Sequence, residues 1–464
     1  MSLSRFSIIV AIDGGNGIAK DGGIPWSSKS DLRYFRETTF GRGKNAVIMG
    51  RVTYESIPVQ FRPLQGRHCV VVSRTWRQED HPEVTVCSSF LDALAILGGS
   101  VKGHEEVFIA GGECIYNEAI RDYLYLCDRI HVTKFKTDYD CDQYFPWDDI
   151  KDFPTHKDIQ RTRDFQRYIF LPQIRHPEHQ YLELIRDVAE NGDPKPDRTG
   201  VGTKSKFGVK MEFDISERIP VLTTKKVNYE MIIKELLFFI SGQTNTKILE
   251  DQGVKIWKGN TSKDFLLDRG LDYDEGDMGA GYGYQWRHWG AEYKGMDKDY
   301  SGQGIDQLSN LVNDIRKDPH SRRLLLSCWN VSQLKDMALP PCHHDVQFYV
   351  SGDRKYLDCM LKMRSGDLFL GIPFNIASYS ILTYMIAHIT GLRPRKFIII
   401  IGDAHVYNNH QEQVKKQLGR TPRPFPILSF RGATRLHEID DFDFKSFILE
   451  GYSSWPFISA PMAI

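Results

Sequence analysis

Cys342 lies in "ALPPCHHDVQFYV", residues 338 to 350, after two prolines and ahead of two histidines and an alternating apolar run. A thiol in that setting admits three chemistries: nucleophile, metal ligand or packed core group. Consecutive residues of an extended chain point to opposite faces, so only Cys342 and His344 would share a side; with no second ligand pair in evidence nearby, zinc is disfavoured. A buried structural thiol is common. A catalytic thiolate needs positive charge beside it, and this half of the chain supplies Arg198 in "PDRTGVGT", Arg322 and Arg323 in "DPHSRRLLLSCWN", and Arg364 in "KMRSGD". Four guanidiniums at loop and strand edges also suit a phosphate monoester.

The first 170 residues carry a different set. "AIDGGNGIAKDGGIPW" is glycine-rich but has Lys20 where the dinucleotide fingerprint needs its third glycine. Three later strand ends say more: "VIMGRVTY" presents Arg51 and Thr53, "VVVSRTW" presents Ser73 and Arg74, and "VFIAGGECIY" opens a helix with Gly111 and Gly112. Ligands of open α/β sheets collect at such strand ends, and bare helix N-termini suit phosphates. Asp31, in "SSKSDLRYFRETT", falls on the apolar side of a helix with Leu32, Tyr34 and Phe35 close by. It is either a first-turn acid favoured by the helix dipole or, if buried, a carboxylate fit to hydrogen-bond a flat heterocycle.

The elements that must position these groups follow two grammars. Up to about residue 170, short apolar strands ("FSIIVAI", "NAVIM", "CVVVS", "EEVFIA", "IHVTKF", "FQRYIF") alternate with helical segments, the pattern of a wound α/β sheet. Beyond it, helices are expected at about 179–190, 228–241 and 305–317, with strands at about 322–329, 346–350, 356–363 and 396–401, an α+β arrangement. The expected division is a first domain 1–172, a short linker 173–177 and a second domain 178–464. The segment "PFNIASYSILTYMIAHITGL" holds too many polar groups for a lipid-facing span and is expected to be a buried core helix. Lys plus Arg and Asp plus Glu number 60 each, so bulk attraction to nucleic acid or an anionic membrane is not expected. The opening residues lack a signal-peptide pattern, and the eight cysteines contain no C-x-x-C, so a reducing, cytoplasmic setting is expected.

"GIPWSSKSDLRYF", "VIMGRVTYESIP", "RPLQGRHCVVVSR" and "FIAGGECIY" occur in one order and spacing that resembles dihydrofolate reductase across the first domain. The resemblance implies a wound mixed sheet and NADPH held by Ala11, Gly17, Arg51, Thr53, Ser73, Arg74, Gly111 and Gly112. It also implies that Asp31 and Thr133 hold the pterin, Phe35 packs on the folate and Arg67 takes its glutamate carboxylate. Phe61 stands where a small amide is usual, which bears on the glutamate tail.

"RTGVGT", "TTKK", "KELLFFISGQTNT", "SRRLLLSCWN", "ALPPCH", "RSGDLFLGIPFNIASY" and "GDAHVYNNH" resemble thymidylate synthase over about residues 178 to 464. That resemblance implies Cys342 as the nucleophile toward C6 of dUMP, with 5,10-methylenetetrahydrofolate as one-carbon donor and reductant. Arg198, Arg364 and Ser365 would hold the phosphate together with Arg322 and Arg323 from a second subunit. Asn375 would read the uracil, His405 and Tyr407 the deoxyribose, and Asp367 the pterin; Glu235 and Tyr282 would organise proton transfer, Trp257 would line the folate site, and His343 belongs to the substrate set. A homodimer with shared sites is implied, with no metal. The departures are Met363 for a glutamine, Lys362 for an aromatic, "HHDV" for an apolar run, Ala280-Gly281 beside Tyr282, and Trp455 for a histidine in the tail that ends at Ile464. They motivate two alternatives for the second half: a dUMP hydroxymethylase, or a decayed dimerisation or RNA-binding scaffold.

Overall fold

The computed structural model describes residues 3–99, 104–156, 160–197 and 199–462, and divides into two compact units: Met1–His176 with Gly419–Thr421, and Pro177–Leu418 with Pro422–Ile464. Arg198 and Ile464 lie outside the described residues.

In the first unit an eight-stranded sheet runs in the order Thr85–Cys87, Arg67–Val72, Asn45–Gly50, Val107–Ile109, Phe6–Ile12, Cys127–Phe135, Phe165–Phe170, Gln160–Arg161. The pairings from Thr85–Cys87 through Cys127–Phe135 are parallel, and the final two are antiparallel. Central strands such as "FSIIVAI" are apolar on both faces because helices cover both sides of a parallel sheet. Helix Lys29–Phe40 starts where the Ser28 side chain accepts the Asp31 N–H at 3.3 Å, so an N-cap serine fixes the turn on which Asp31 sits.

The second unit holds a six-stranded sheet ordered Asp193–Lys195, Thr203–Asp214, Arg393–Tyr407, Tyr356–Asp367, His343–Val350, Leu325–Ser327. Its one parallel pairing, Tyr356–Asp367 with Arg393–Tyr407, is bridged by helix Ile372–Ile389, the expected core helix. That helix is apolar nearly all round. Its hydroxyls fold back on its own carbonyls, Ser380 to Ile376 and Thr383 to Tyr379 at 2.7 Å each, which satisfies them inside the core.

The expected helices appear as His179–Asn191, Tyr229–Ile240 and Gln307–Lys317. Two strands run well past their expected ends, to Asp367 and Tyr407, because each finds a ladder partner along that extra length. Strand Thr203–Asp214 was not anticipated from the pattern: its alternation is interrupted at Gly208, where φ is 79° and the ladder skips a residue opposite Gly402. Among the described residues no helix is long and apolar enough to cross a membrane, and no group of three or more His, Cys, Asp or Glu could hold a metal ion.

Candidate active sites

The first unit encloses a cavity of about 1440 Å³ at the carboxyl ends of its strands. Asp31, Phe35, Arg67 and Thr133 line it, as do Ala11, Arg51, Thr53, Ser73, Arg74, Gly111 and Gly112. The volume exceeds that of a usual single-ligand pocket, so two molecules can lie in it together. Gly111 takes φ 116°, open only to glycine at low cost, and a Cβ on Gly112 would come within 3.0 Å of the Thr53 hydroxyl. The pair therefore leaves bare backbone at the start of helix Glu113–Tyr123.

Not every expected group faces the cavity freely. Arg51 is paired with Glu55 at 2.7 Å, and the Ser73 hydroxyl accepts the N–H groups of Thr75 and Trp76, bracing its own turn. Gly17 is not among the lining residues. Its N–H donates to Asp13 at 2.6 Å, and a Cβ there would collide with Cys141 at 2.2 Å, so its glycine is required by packing. Leu32, expected on the apolar side of its helix, is 61% exposed and lines the cavity, as does Phe61: these apolar surfaces are left open to the cavity. Arg67 stays near Phe35 by donating to the Thr39 hydroxyl at 2.9 Å.

Burial raises the Asp31 carboxyl above its ordinary range, opposed by hydrogen bonding from Thr133 and by the charge of Arg167. The sequence pattern showed Arg167 only as one residue of a strand. In the ladder it is paired with Thr133, and that register alone reveals it.

In the second unit Cys342 immediately precedes strand His343–Val350. Its N–H donates to the Tyr282 hydroxyl at 3.1 Å, and Arg364 Nη2 lies 3.6 Å from its sulfur. Arg364 is aimed by the carbonyls of Pro340 and Pro341, at 2.8 and 3.0 Å, so the two prolines before the cysteine hold its cation. Tyr282 is 4% exposed with φ 36°, stacks on Phe239 at 5.0 Å and opens helix Gly283–His288. Gly283 permits this approach, since a Cβ would sit 2.4 Å from the Phe239 carbonyl.

Trp257 Nε1 donates to Glu235 at 2.8 Å, and its ring meets Tyr282 edge-on at 5.4 Å. Burial pushes the Glu235 carboxyl up to about 7, against the Trp257 hydrogen bond. His343 is buried behind this layer, its Nδ1 2.6 Å from the Tyr379 hydroxyl and its ring 4.3 Å from Tyr282; burial pushes it down to about 3, so it is a neutral support of the wall.

The lengthened strands bring further expected residues together. Ser365 pairs with Asp403 and Asp367 with His405 across the parallel ladder. Asp367 accepts the N–H groups of Phe369 and Leu370, His405 lies 3.3 Å from Asp403, and Tyr407 meets His405 edge-on. Asn375 is half-buried in the first turn of helix Ile372–Ile389. Arg322 and Arg323 stand exposed on the turn before strand Leu325–Ser327, and neither is joined to the Cys342 cluster among the described residues.

The departures have structural homes. Met363 is 4% exposed in the core, opposite His343. Asp345 and Lys362 form a cross-strand pair at 2.9 Å, each replacement answering the other. The Ala280-Gly281 loop is tied down: Ala280 is fully buried, its N–H donates to the Asp336 carbonyl and its own carbonyl accepts from Gln285. Trp455 is buried with the Arg423 guanidinium 4.2 Å from its ring centroid.

Comparison with known proteins agrees over both units. The dihydrofolate reductase family model matches residues 5–173, and the thymidylate synthase model matches 179–464. The bifunctional dihydrofolate reductase-thymidylate synthase of Zea mays is 40% identical, covering 99% of this chain and 97% of its own length. The Leishmania major enzyme of that name is 39% identical over 100% of this chain and 96% of its own, and the Paramecium tetraurelia one 40% over 99% of each. With both family domains in one order and relatives aligned almost end to end, the chain belongs to the bifunctional dihydrofolate reductase-thymidylate synthases, enzymes with both activities on one polypeptide.

Proposed function

We propose that the roles within these two activities fall to the residues named above, with the reductase domain ending near residue 172 and the synthase domain beginning near 178. The cluster of Cys342, Arg364, Tyr282 and Glu235 is the single observation that supports this assignment best.

In the reductase site, the large cavity, the cationic strand ends at Arg51 and Arg74 and the bare backbone at Gly111-Gly112 fit NADPH. When bound, NADPH supplies the reducing equivalent. Thr53, Ser73 and the two arginines hold its phosphates, and Ala11 borders it from the same cavity wall, while Gly17 acts only through the packing behind that wall. Asp31 and Thr133 orient the pterin of dihydrofolate, and Asp31 draws a proton toward the adjacent ring nitrogen. Phe35 packs on the folate while Arg67 binds its glutamate carboxylate.

In the synthase site, Arg364 offsets the negative charge of the Cys342 thiolate, whose sulfur bonds to C6 of dUMP. The electron pair displaced to C5 attacks the methylene carbon of methylenetetrahydrofolate as its bond to one folate nitrogen opens. Loss of the C5 proton breaks its bond to the other nitrogen, and hydride transfer from the released tetrahydrofolate to the exocyclic methylene expels the thiolate from C6, leaving dTMP and dihydrofolate. Glu235, poised near neutrality, can both accept and return protons through the site. Asn375 reads the uracil edge, His405 and Tyr407 the sugar hydroxyl, and Asp367 and Trp257 the folate. Arg198 and Ser365 bind the phosphate beside Arg364, joined by Arg322 and Arg323 of the partner subunit, whose exposure here leaves them available to a second copy. The product of this site is the substrate of the other, and the expected setting is the cytosol.

The test is incubation with dUMP and methylenetetrahydrofolate, with and without NADPH, and mass spectrometry of the nucleotide. Formation of dTMP with dihydrofolate that NADPH then consumes is the expected result. Hydroxymethyl-dUMP, or unchanged dUMP beside intact reductase activity, would overturn the assignment for the second domain.

A further inference from the structure

Behind the wall of the reductase cavity lies a guanidinium that the roles above leave unused. Arg167, 7% exposed, is directly opposite Thr133 in the antiparallel pairing of strands Phe165–Phe170 and Cys127–Phe135. Paired residues of such a ladder project to the same face. Arg167 Nε donates to the Thr133 hydroxyl at 3.2 Å, its Nη1 donates to Gln160, and its Cζ lies 3.8 Å from the centroid of the Tyr34 ring. Tyr34 stands one turn along from Asp31 on helix Lys29–Phe40. Strand and helix thus bring a buried cation up against the two residues assigned to the pterin.

The chemistry of the donors gives this contact a direction. A guanidinium has only N–H donors, so the Thr133 oxygen must accept from it. Its single O–H is then left to donate elsewhere, and the Asp31 carboxyl lines the same cavity as Thr133 and feels its hydroxyl. We propose that Arg167 is a positioning residue of the reductase reaction, orienting the Thr133 hydroxyl as a donor toward Asp31 and holding a positive charge one hydroxyl away from that carboxylate.

The other titratable groups facing this cluster do not supply that charge. His131, hydrogen-bonded to the Tyr34 hydroxyl at 2.7 Å and backed by Arg129, is pushed down to about 4 by burial and is neutral near pH 7. Burial raises the Tyr34 and Tyr116 hydroxyls, so both are neutral as well. Arg167 is the one cation acting on Asp31 among the described residues. Its Nη2 is buried with no hydrogen-bond partner among those residues, so it is not held there for its own satisfaction. An arginine serving only as packing would be expected to find a carboxylate or carbonyl for each arm.

The test is the pH dependence of single-turnover dihydrofolate reduction by the full chain with saturating NADPH, for the parent, Arg167→Met and Arg167→Lys. Asp31 and the pterin nitrogen share a proton as a pair, so deleting a nearby positive charge raises the pair's proton affinity whichever atom holds the proton. Arg167→Met should therefore move the basic-side inflection up by about one pH unit, a tenfold change in proton affinity, and raise KM for dihydrofolate. Arg167→Lys should recover most of the shift. In an Asp31→Asn background, Arg167→Met should change the residual rate less than about twofold, because the route through the carboxylate is gone. Should Arg167→Met not fold by its thermal transition, Arg167→Gln removes the charge with a smaller loss of polarity and carries the same expectation. A profile superimposable on the parent's, or an equal loss with and without Asp31, would overturn the proposal in favour of a purely structural arginine.

Discussion

At the scale of single residues, environment sets chemistry more than residue type does. Glu235 is a carboxyl whose surroundings raise it from the ordinary 4.5 to about 7. The folded state then holds the proton more tightly than the unfolded chain, so this contribution to stability is full below about pH 4.5 and is lost as pH rises through about 7. Glu235→Gln should consequently stabilise the second unit more at pH 8 than at pH 4.5, by up to ~3 kcal/mol. Thermal transitions of both proteins at the two pH values check this, and the same variant should lose the limb of the synthase pH profile near 7. Met363 invites the opposite experiment. Where the resemblance to thymidylate synthase implies a glutamine, the methionine side chain is 4% exposed among apolar neighbours. Met363→Gln buries an amide without an evident partner and should cost ~1–3 kcal/mol, read from the denaturation midpoint; a stabilised variant would show that a partner is available.

At the scale of elements, the sites depend on how strand ends and helix starts are anchored. Glu178, fully buried ahead of helix His179–Asn191, accepts four hydrogen bonds, from the backbone and hydroxyl of both Thr223 and Thr224 at 2.5 to 2.9 Å. It ties the start of that helix to the "TTKK" segment. Burial raises its carboxyl, opposed by the hydrogen bonds from Thr223 and Thr224. Glu178→Ala strands those donors in the core, and the expected loss is at least ~3 kcal/mol in the unfolding of the second unit. A change below ~1 kcal/mol in urea titration would mean that water replaces the carboxylate. The strand register matters as much: Ser365 and Asp367 meet Asp403 and His405 only because two strands continue in parallel beyond their apolar centres.

At the scale of the whole molecule, the proposed sharing of Arg322 and Arg323 between subunits makes a quantitative claim. In a mixture of Cys342→Ala and Arg323→Ala chains, each heterodimer contains one site with both defects and one with neither. Random exchange should then restore about a quarter of the parental synthase sites, while each variant alone stays low. Titration of covalent sites with fluoro-dUMP and methylenetetrahydrofolate after verified exchange gives the count, and no recovery would place each site within a single chain.

Motif order and spacing in the sequence alone determined the family, the two-domain plan and most of the groups gathered in the reductase cavity and around Cys342. Glycine, proline, cysteine and arginine carry that information because their local chemistry is demanding enough to show as pattern. Arg167 and the Asp345–Lys362 pair did not show, since each is made by a cross-strand neighbour far away in sequence, and no local periodicity encodes a partner's register. The same holds for the full lengths of strands Tyr356–Asp367 and Arg393–Tyr407, whose polar ends read as loop until a ladder satisfies their backbone. The tertiary structure also decided that Leu32 and Phe61 stay exposed and that Gly17 packs on Cys141, because both depend on the empty or filled space opposite a residue.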